Sequence, residues 1–577
     1  MNTSHVTSER LSTLRVPCLG LILLLLLTLS GSPAATAQKP SSAHNFTVLK
    51  NLDIFNALYR ELDLYYVDTL DAKKNIDNAL AYMLELIDPY TEYYPEEDTS
   101  ALEQMTTGKY AGIGAMVGYS DNLRRCIISK PYAGMPAAQA GLLPGDIILA
   151  IDGKGIAPCE EPGSEAQARY SAAVSEKLRG EPGTTFELKV RRPEADKEFT
   201  FKIARRNIVL PSVSLSTMIT DSIGYIALAQ FIEGTSGEVR RAMVELKQQG
   251  MRNLILDLRG NPGGVLEEAV RTVNLFLPRG REVLSTRGKV KELNHTYKTT
   301  LDPQDPDIPL IVLTDEHSAS ASEITGGALQ DYDRALIMGR RTYGKGLVQQ
   351  SRELPYKSVL KLTTGKYYIP SGRCVQAYEF RDGVPVHRPD SLCKEFRTAA
   401  GRIVYDGGGI KPDVELPADS LPRLLAYLQA STQLFDYCVR YRARHPRIAN
   451  PLVFALTDDE YADFRAYMKQ HQFTYDRQSL RLLDRLREVA RIEGYADEAQ
   501  AELHALEQKL RHNDDFDFVR WEAEIRRVVE ASIIESYYYD AGRNIYLLQS
   551  DKDVQQAVEM MNNRKLMHKL LSGEPDA

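Results

Sequence analysis

Three short apolar runs recur at wide intervals, Gly224-Tyr225-Ile226-Ala227-Leu228, Asn253-Leu254-Ile255-Leu256-Asp257-Leu258 and Pro309-Leu310-Ile311-Val312-Leu313, with amphipathic stretches between them. Strand-like runs that alternate with helical periodicity build an α/β core, so residues from about 207 to 415 read as one such unit. A chain of 577 residues is too long for one hydrophobic core, and the flanking regions have other patterns. From about Asn45 to Met105 apolar residues recur at helical spacing, as in Leu49, Ile54, Leu58 and Leu62. Residues 107–206 read as short strands broken by Gly and Pro. Beyond about 416 the pattern is almost wholly helical and highly charged, and Asp515 to Ile534 is amphipathic enough to pack on something. The expected divisions are 1–37, 38–106, 107–206, 207–415 and 416–577.

The first of these divisions reads as an export signal. Arg10 and Arg15 precede an apolar run from Val16 to Leu29, and Ala35-Thr36-Ala37 before Gln38 fits a small-residue cleavage site. The run is about 14 residues long, short of the ~20 that span a bilayer. Export across an inner membrane to the periplasm is therefore expected, with an uncleaved anchor as the alternative. Removing this segment leaves Cys126, Cys159, Cys374, Cys393 and Cys438, whose wide, odd-numbered spacing fits neither a disulfide framework nor a zinc site. Free thiols are expected, with a Cys374–Cys393 bridge as the oxidising alternative. The net charge of −7 offers no basic surplus for a general nucleic-acid binder.

Three segments could carry chemistry. His317-Ser318-Ala319-Ser320-Ala321-Ser322-Glu323-Ile324 follows a strand-like run and opens a helix-like one, Glu323 to Gln330. A hydroxyl there lies beside backbone N–H groups that have no helical partner and can stabilise an oxyanion. The same pattern, with Glu three residues after Ser, also fits a capping box. Gly339 to Lys345 spells Gly-x-x-x-x-Gly-Lys, but Gly346 stands where a phosphate loop needs Ser or Thr, so a nucleotide site is excluded. Lys345, between two glycines in an apolar stretch, could be buried instead. Burial lowers a lysine by up to ~3–5 pH units, enough to supply a neutral amine as general base. In Asp257-Leu258-Arg259-Gly260-Asn261-Pro262-Gly263-Gly264 a glycine turn follows a strand; it offers backbone N–H groups but no nucleophile.

Taken in order, Leu-Asp-Leu-Arg-Gly-Asn-Pro-Gly-Gly, Ser-Ala-Ser-Ala-Ser-Glu-Ile, Gly-Ala-Leu-Gln-Asp-Tyr-Asp-Arg-Ala and Thr-Tyr-Gly-Lys-Gly-Leu-Val-Gln resemble the carboxy-terminal processing peptidases, or tail-specific proteases. The likeness runs from about Leu84 to Pro412. It implies a multidomain α/β protein: a crotonase-like protease core with an inserted β-rich PDZ domain, an N-terminal helical segment and a C-terminal helical domain. It further implies a serine endopeptidase in which Ser320 is the nucleophile, Lys345 the general base and Gln349 the group that orients the amine. Asp331 matches a position often given a charge-relay role, although a carboxylate near Lys345 would raise the amine's pKa and oppose deprotonation. The oxyanion hole would use Ala321 together with Gly263 or Gly264.

Residues 107–206 resemble a PDZ domain, with Tyr110-Ala111-Gly112-Ile113-Gly114-Ala115 at the carboxylate-binding loop and Leu143-Pro144-Gly145-Asp146-Ile147-Ile148 at the Gly-Asp-x-Ile segment. The resemblance places the substrate tail at Gly112, Ile113, Gly114 and Ala115, with the peptide added as a strand. No cofactor or metal is expected. The expected partners are proteins with apolar C-terminal tails, and an activating adaptor, membrane association and a homo-oligomer are each compatible with such a chain. An inactive scaffold that uses only the PDZ-like module is the alternative function.

Overall fold

A computed structural model describes residues 42–573 apart from 99–101, 103–105, 162, 419–420 and 511–513. The expected signal segment and its cleavage site lie outside the described residues. Two units are distinguished, residues 1–78 with 287–295 and residues 79–286 with 296–577. In the first, helix α1 (Ser42–Tyr65) carries no buried side chain, and helix α2 (Ala72–Glu85) begins. The helical structure that the periodicity suggested is interrupted after Glu85. Pro89 follows shortly after Glu85, and its ring bars helix at the preceding residue; strand β1 (Glu92–Tyr94) comes next.

In the second unit, a five-strand path with the order β2-β3-β4-β5-β6 is formed by Ala115–Ser120, Arg125–Pro131, Ile147–Ile151, Thr185–Arg192 and Lys197–Ala204. Helix α3 (Ser164–Leu178) packs beside β2, which is the edge strand. Ile113, Ile128, Ile148, Val174, Leu188 and Val190 fill the core of this module.

A large, mostly parallel sheet of six strands runs β7 (Val213–Met218), β8 (Ile223–Leu228), β9 (Asn253–Asp257), β10 (Leu310–Thr314), β11 (Leu336–Gly339) and β14 (Val414–Glu415). Strands β12 (Leu347–Glu353) and β13 (Val359–Tyr368) pair antiparallel within a five-stranded sheet that also takes up β1. In the large sheet only β7 is antiparallel to its neighbour. Its central strands are apolar at nearly every position because both faces are covered. Ile226, Leu256, Val312 and Ile337 form one cross-strand row. That row faces helices α4 (Thr235–Gln248), α5 (Leu266–Val273) and α6 (Ala321–Asp331), through Val239, Met243, Val273 and Ile324.

The alternate row, Tyr225, Ile255, Ile311 and Leu336, points the other way, as the period of two requires. It is covered by Val554, Ala557, Met561 and Met567 of helices α8 (Lys552–Asn562) and α9 (Arg564–Ser572). The last helices of the chain therefore complete the core of the sheet. The preceding helix α7 (Glu522–Leu548) instead buries Ile525, Val529, Ile533 and Ile534 in a separate helical cluster with Phe464 and Phe518. Cys126, Cys159, Cys374, Cys393 and Cys438 are all free thiols. No helix among the described residues is long and apolar enough to cross a membrane.

Candidate active site

At the carboxyl end of β10 the chain turns sharply. Asp315 accepts the N–H groups of Gly260, His317 and Ser318 at 2.9, 3.1 and 3.0 Å. Ser318 Oγ donates to Leu258 O at 2.8 Å, while Ala319 N and Ser322 Oγ both donate to Asn261 O at 3.0 and 2.9 Å. These bonds stitch the 315–322 turn to the glycine turn after β9. Between them Ser320 adopts φ 55° and ψ −111°, and α6 begins at the next residue. A non-glycine residue held there stores about 1–3 kcal/mol of strain, a feature that clusters at functional sites.

The two glycines exist because backbone passes through the space of a side chain. A Cβ on Gly263 would lie 2.6 Å from Ala319 O and 2.8 Å from both Ala321 N and the Ser320 Cβ; one on Gly264 would lie 1.9 Å from Phe231 O. Gly263 thus packs directly against Ser320. Its own N–H is committed to Asn261 Oδ1 at 2.9 Å. Among the described residues neither Gly264 N nor Ala321 N has an acceptor, so of the two candidate glycines Gly264 is the one with a donor to offer.

Lys345 is carried on the loop between β11 and β12 and comes to this turn through a residue read in the sequence as a helix cap. Glu323, fully buried, accepts Ser320 N at 2.9 Å and Lys345 N at 2.8 Å on Oε2. Its Oε1 accepts Gly344 N at 2.8 Å and Thr342 Oγ at 2.6 Å. The capping arm of Glu323 is present, but the carboxylate extends well beyond it. Burial pushes the Glu323 carboxyl up from its ordinary value. Each of its four partners is a donor, which favours the anion.

The Lys345 amine lies 4.3 Å from the centroid of the Tyr90 ring. Burial lowers it to about 8, helped by the charge of Lys361 and opposed by Glu323, Asp88 and Glu92. No hydrogen bond joins Lys345 Nζ to Ser320 Oγ among the described residues; in this state the amine rests on the ring. Tyr90 is fixed by Asp88, whose Oδ1 accepts both Tyr90 N and Thr91 N at 2.8 Å. Thr91 Oγ in turn meets Thr363 Oγ at 3.3 Å, and Gln349 Nε2 donates to the same Thr363 oxygen at 3.2 Å. Gln349 therefore lies in the hydrogen-bonded wall beside the lysine, and among the described residues no bond joins its side chain to Lys345 Nζ.

Asp331 is placed elsewhere. It closes α6, about 15 Å along the helix from Ala321 at 1.5 Å per residue. There it pairs with the buried Arg373 at 2.8 Å and accepts Ser371 N at 2.9 Å. Gly112 ends a strand, Lys109–Gly112, that pairs with Arg206–Val209, and Ala115 opens the edge strand β2. Ile113 is buried in the core of the module, and the carbonyls of Ile113 and Gly114 accept Ala137 N and Tyr132 N. The rings of Tyr119 on β2 and Tyr170 on α3 meet edge to face at 6.0 Å.

Sequence reasoning missed the reach of Glu323 and the lysine cover at Asp88, Tyr90 and Thr91. The signal for the second was Asp88-Pro89, an acceptor and a helix-breaker at the end of a helical pattern.

An α/β core carrying a serine at a strained turn, a lowered lysine and a β-rich module with a free edge describes a serine peptidase with a PDZ domain. The family comparisons agree on each part: peptidase family S41 matches residues 222–386, a PDZ domain matches 127–192, and the C-terminal helical domain of probable PDZ-proteases matches 424–561. A carboxy-terminal-processing protease of Bartonella bacilliformis is 34% identical over 365 residues, covering 63% of this chain and 81% of the relative. A probable CtpA-like serine protease of Staphylococcus aureus is 33% identical over 350 residues, covering 60% and 67%. Among solved structures, a photosystem II D1 C-terminal processing protease is 26% identical with a TM-score of 0.34, covering 63% of this chain and 87% of its own. The chain belongs to the PDZ-containing carboxy-terminal-processing proteases of family S41.

Proposed function

We propose that this serine protease works by a Ser320–Lys345 dyad and selects proteins by their apolar C-terminal tails. The observation that carries the reading is the shared Glu323 anchor, which ties the backbones of Ser320 and Lys345 to one buried carboxylate.

Catalysis begins when the Lys345 amine, deprotonated, leaves the Tyr90 ring and accepts the Ser320 hydroxyl proton. Ser320 Oγ bonds to the scissile carbonyl carbon, and the N–H groups of Gly264 and Ala321 stabilise the oxyanion. The tetrahedral species collapses with cleavage of the C–N bond, and Lys345 returns the proton to the leaving amine. Lys345 then takes a proton from water, whose oxygen bonds to the ester carbon; the C–Oγ bond breaks and Lys345 returns the proton to Ser320 Oγ. Gln349 braces the wall that holds the lysine, and Asp331 with Arg373 holds the end of α6.

The edge strand β2 takes the substrate tail as an added strand, with its terminal carboxylate at Gly112, Ile113, Gly114 and Ala115. Residues 1–37 direct export to a periplasmic site of action. The test uses the mature protein, its Ser320→Ala and Lys345→Ala variants, and a loosely folded reporter whose apolar tail is free or amidated. Loss of cleavage by about 10³-fold or more in both variants, with protection by amidation, supports the reading. Cleavage that survives in Ser320→Ala overturns the dyad, and equal cleavage of the amidated reporter overturns tail recognition.

A further inference from the structure

The glycine turn after β9 has an anchor that lies almost three hundred residues away in the chain. Arg259, at the start of the turn, is held by Asp257, which accepts Arg259 N at 2.9 Å and its Nη2 at 2.6 Å. The outer edge of the guanidinium is taken by the C-terminal helices. Asp551 receives Nη1 and Nη2 at 3.1 and 2.8 Å in a two-point contact, and Asp553 receives Nη1 at 3.0 Å. Asp553 also accepts Arg340 Nη1 at 3.1 Å, and Arg340 directly follows β11. Two arginines from the carboxyl ends of two sheet strands thus converge on two aspartates at a single helix start. Asp551 caps that helix by accepting Val554 N at 3.0 Å, a position where negative charge is favoured. All four side chains are largely shielded, with 12–25% exposure.

The clamp is connected to the site by a short path. Arg259 is followed by Gly260, whose N–H is pinned by Asp315, and by Asn261, which holds Gly263 N and the turn around Ser320. Gly264 follows directly. Two-point guanidinium–carboxylate pairs fix orientation as well as distance. The site does not use this network for chemistry, yet the loop that carries its oxyanion donor is fastened by it.

We propose that Asp551 and Asp553 are positioning residues for catalysis: through Arg259 they hold the 257–264 turn, and with it the Gly264 N–H, in register with Ser320. The C-terminal helices thereby act on the chemical step in addition to covering the sheet. The proposal rests on the oxyanion role given to Gly264 above. Displacement of such a donor by about 1 Å costs on the order of 10²-fold in rate.

The experiment compares the full mature chain with a D551N/D553N variant and with Met561→Ala, which removes packing under the sheet without touching the clamp. Thermal unfolding, kcat and KM on the tailed reporter, and hydrogen exchange of the 258–265 amides are measured for each. The expected result is a 10–100-fold fall in kcat for D551N/D553N with KM within twofold, and at least tenfold faster exchange confined to residues 258–265. Met561→Ala should lower the melting temperature with kcat at low temperature within twofold. Unchanged exchange in D551N/D553N overturns the clamp. Faster exchange with kcat within twofold overturns its catalytic role, as does a kcat loss in Met561→Ala that matches the clamp variant's. A Ser320→Ala control measured alongside separates these outcomes from failure of the dyad, because exchange at 258–265 reads the clamp without turnover.

Discussion

The backbone N–H groups of Ser320 and Lys345 meet on one oxygen, Oε2 of Glu323, at 2.9 and 2.8 Å. Their residues stand 25 positions apart on different loops, and this buried carboxylate is the point at which both loops are fixed. The other oxygen is filled by Gly344 N and the Thr342 hydroxyl, so the base loop is held at three places. The Lys345 amine lies on Tyr90 while its backbone stays anchored.

Replacing Glu323 by Gln puts an amide NH₂ where two donors already point. One side of the site then carries opposed N–H groups, and each hydrogen bond lost to a charged acceptor costs about 1.5–3 kcal/mol. Glu323→Gln is expected to lower kcat at least 10²-fold with KM little changed and to lower unfolding stability by about 2–4 kcal/mol. Steady-state kinetics and denaturant unfolding check both.

Lys345 is held down to about 8, by burial first and by Lys361 second. Only the neutral amine can accept the serine proton, so kcat/KM should rise about tenfold per pH unit below 8 and level off above it. Tyr90→Ala opens the amine to water and should move that limb to higher pH. Lys361→Met removes a like charge and frees Glu92, its partner at 2.6 Å; both changes favour the ammonium, so the limb should again move up, by about half a unit to one unit. A pH–rate profile for each variant decides the point.

The Asp331–Arg373 pair is buried at both ends. Breaking such a pair costs about 3–5 kcal/mol, so Asp331→Asn should lower stability by that order. With no contact to the lysine, the variant should keep the wild-type pH limb per folded molecule. A shifted limb would restore the charge-relay role.

Gly263 has no room for a side chain. Gly263→Ala should therefore displace the Ser320 turn and lower kcat at least 10²-fold, while tail-peptide binding at the PDZ module, followed by fluorescence anisotropy, stays within twofold.

The core strands were legible because continuous apolar runs of five or so residues are what a sheet covered on both faces requires. The runs at 224–228, 253–258 and 309–313 match β8, β9 and β10 closely. The helix after Ser320 was legible for a local reason, a capping pattern. What the sequence concealed was long-range. The capping signal explained Glu323 so fully that nothing pointed to Thr342, Gly344 or Lys345 as partners. The C-terminal region read only as helical and charged, with amphipathicity noted at Asp515 to Ile534, and only the fold puts Met561 and Val554 under Ile255 and Ile311. Arg259 read as part of a glycine turn, with no local hint of Asp551 or Asp553.

The most direct test of the dyad is to trap its covalent intermediate. The mature protein would be mixed with a peptide ester bearing an apolar free tail, quenched in acid within milliseconds, and digested for mass spectrometry. The account predicts an acyl mass on the peptide containing Ser320, absent in Ser320→Ala and formed far more slowly in Lys345→Ala. An acyl group on any other residue, or equal acylation without Lys345, would contradict it.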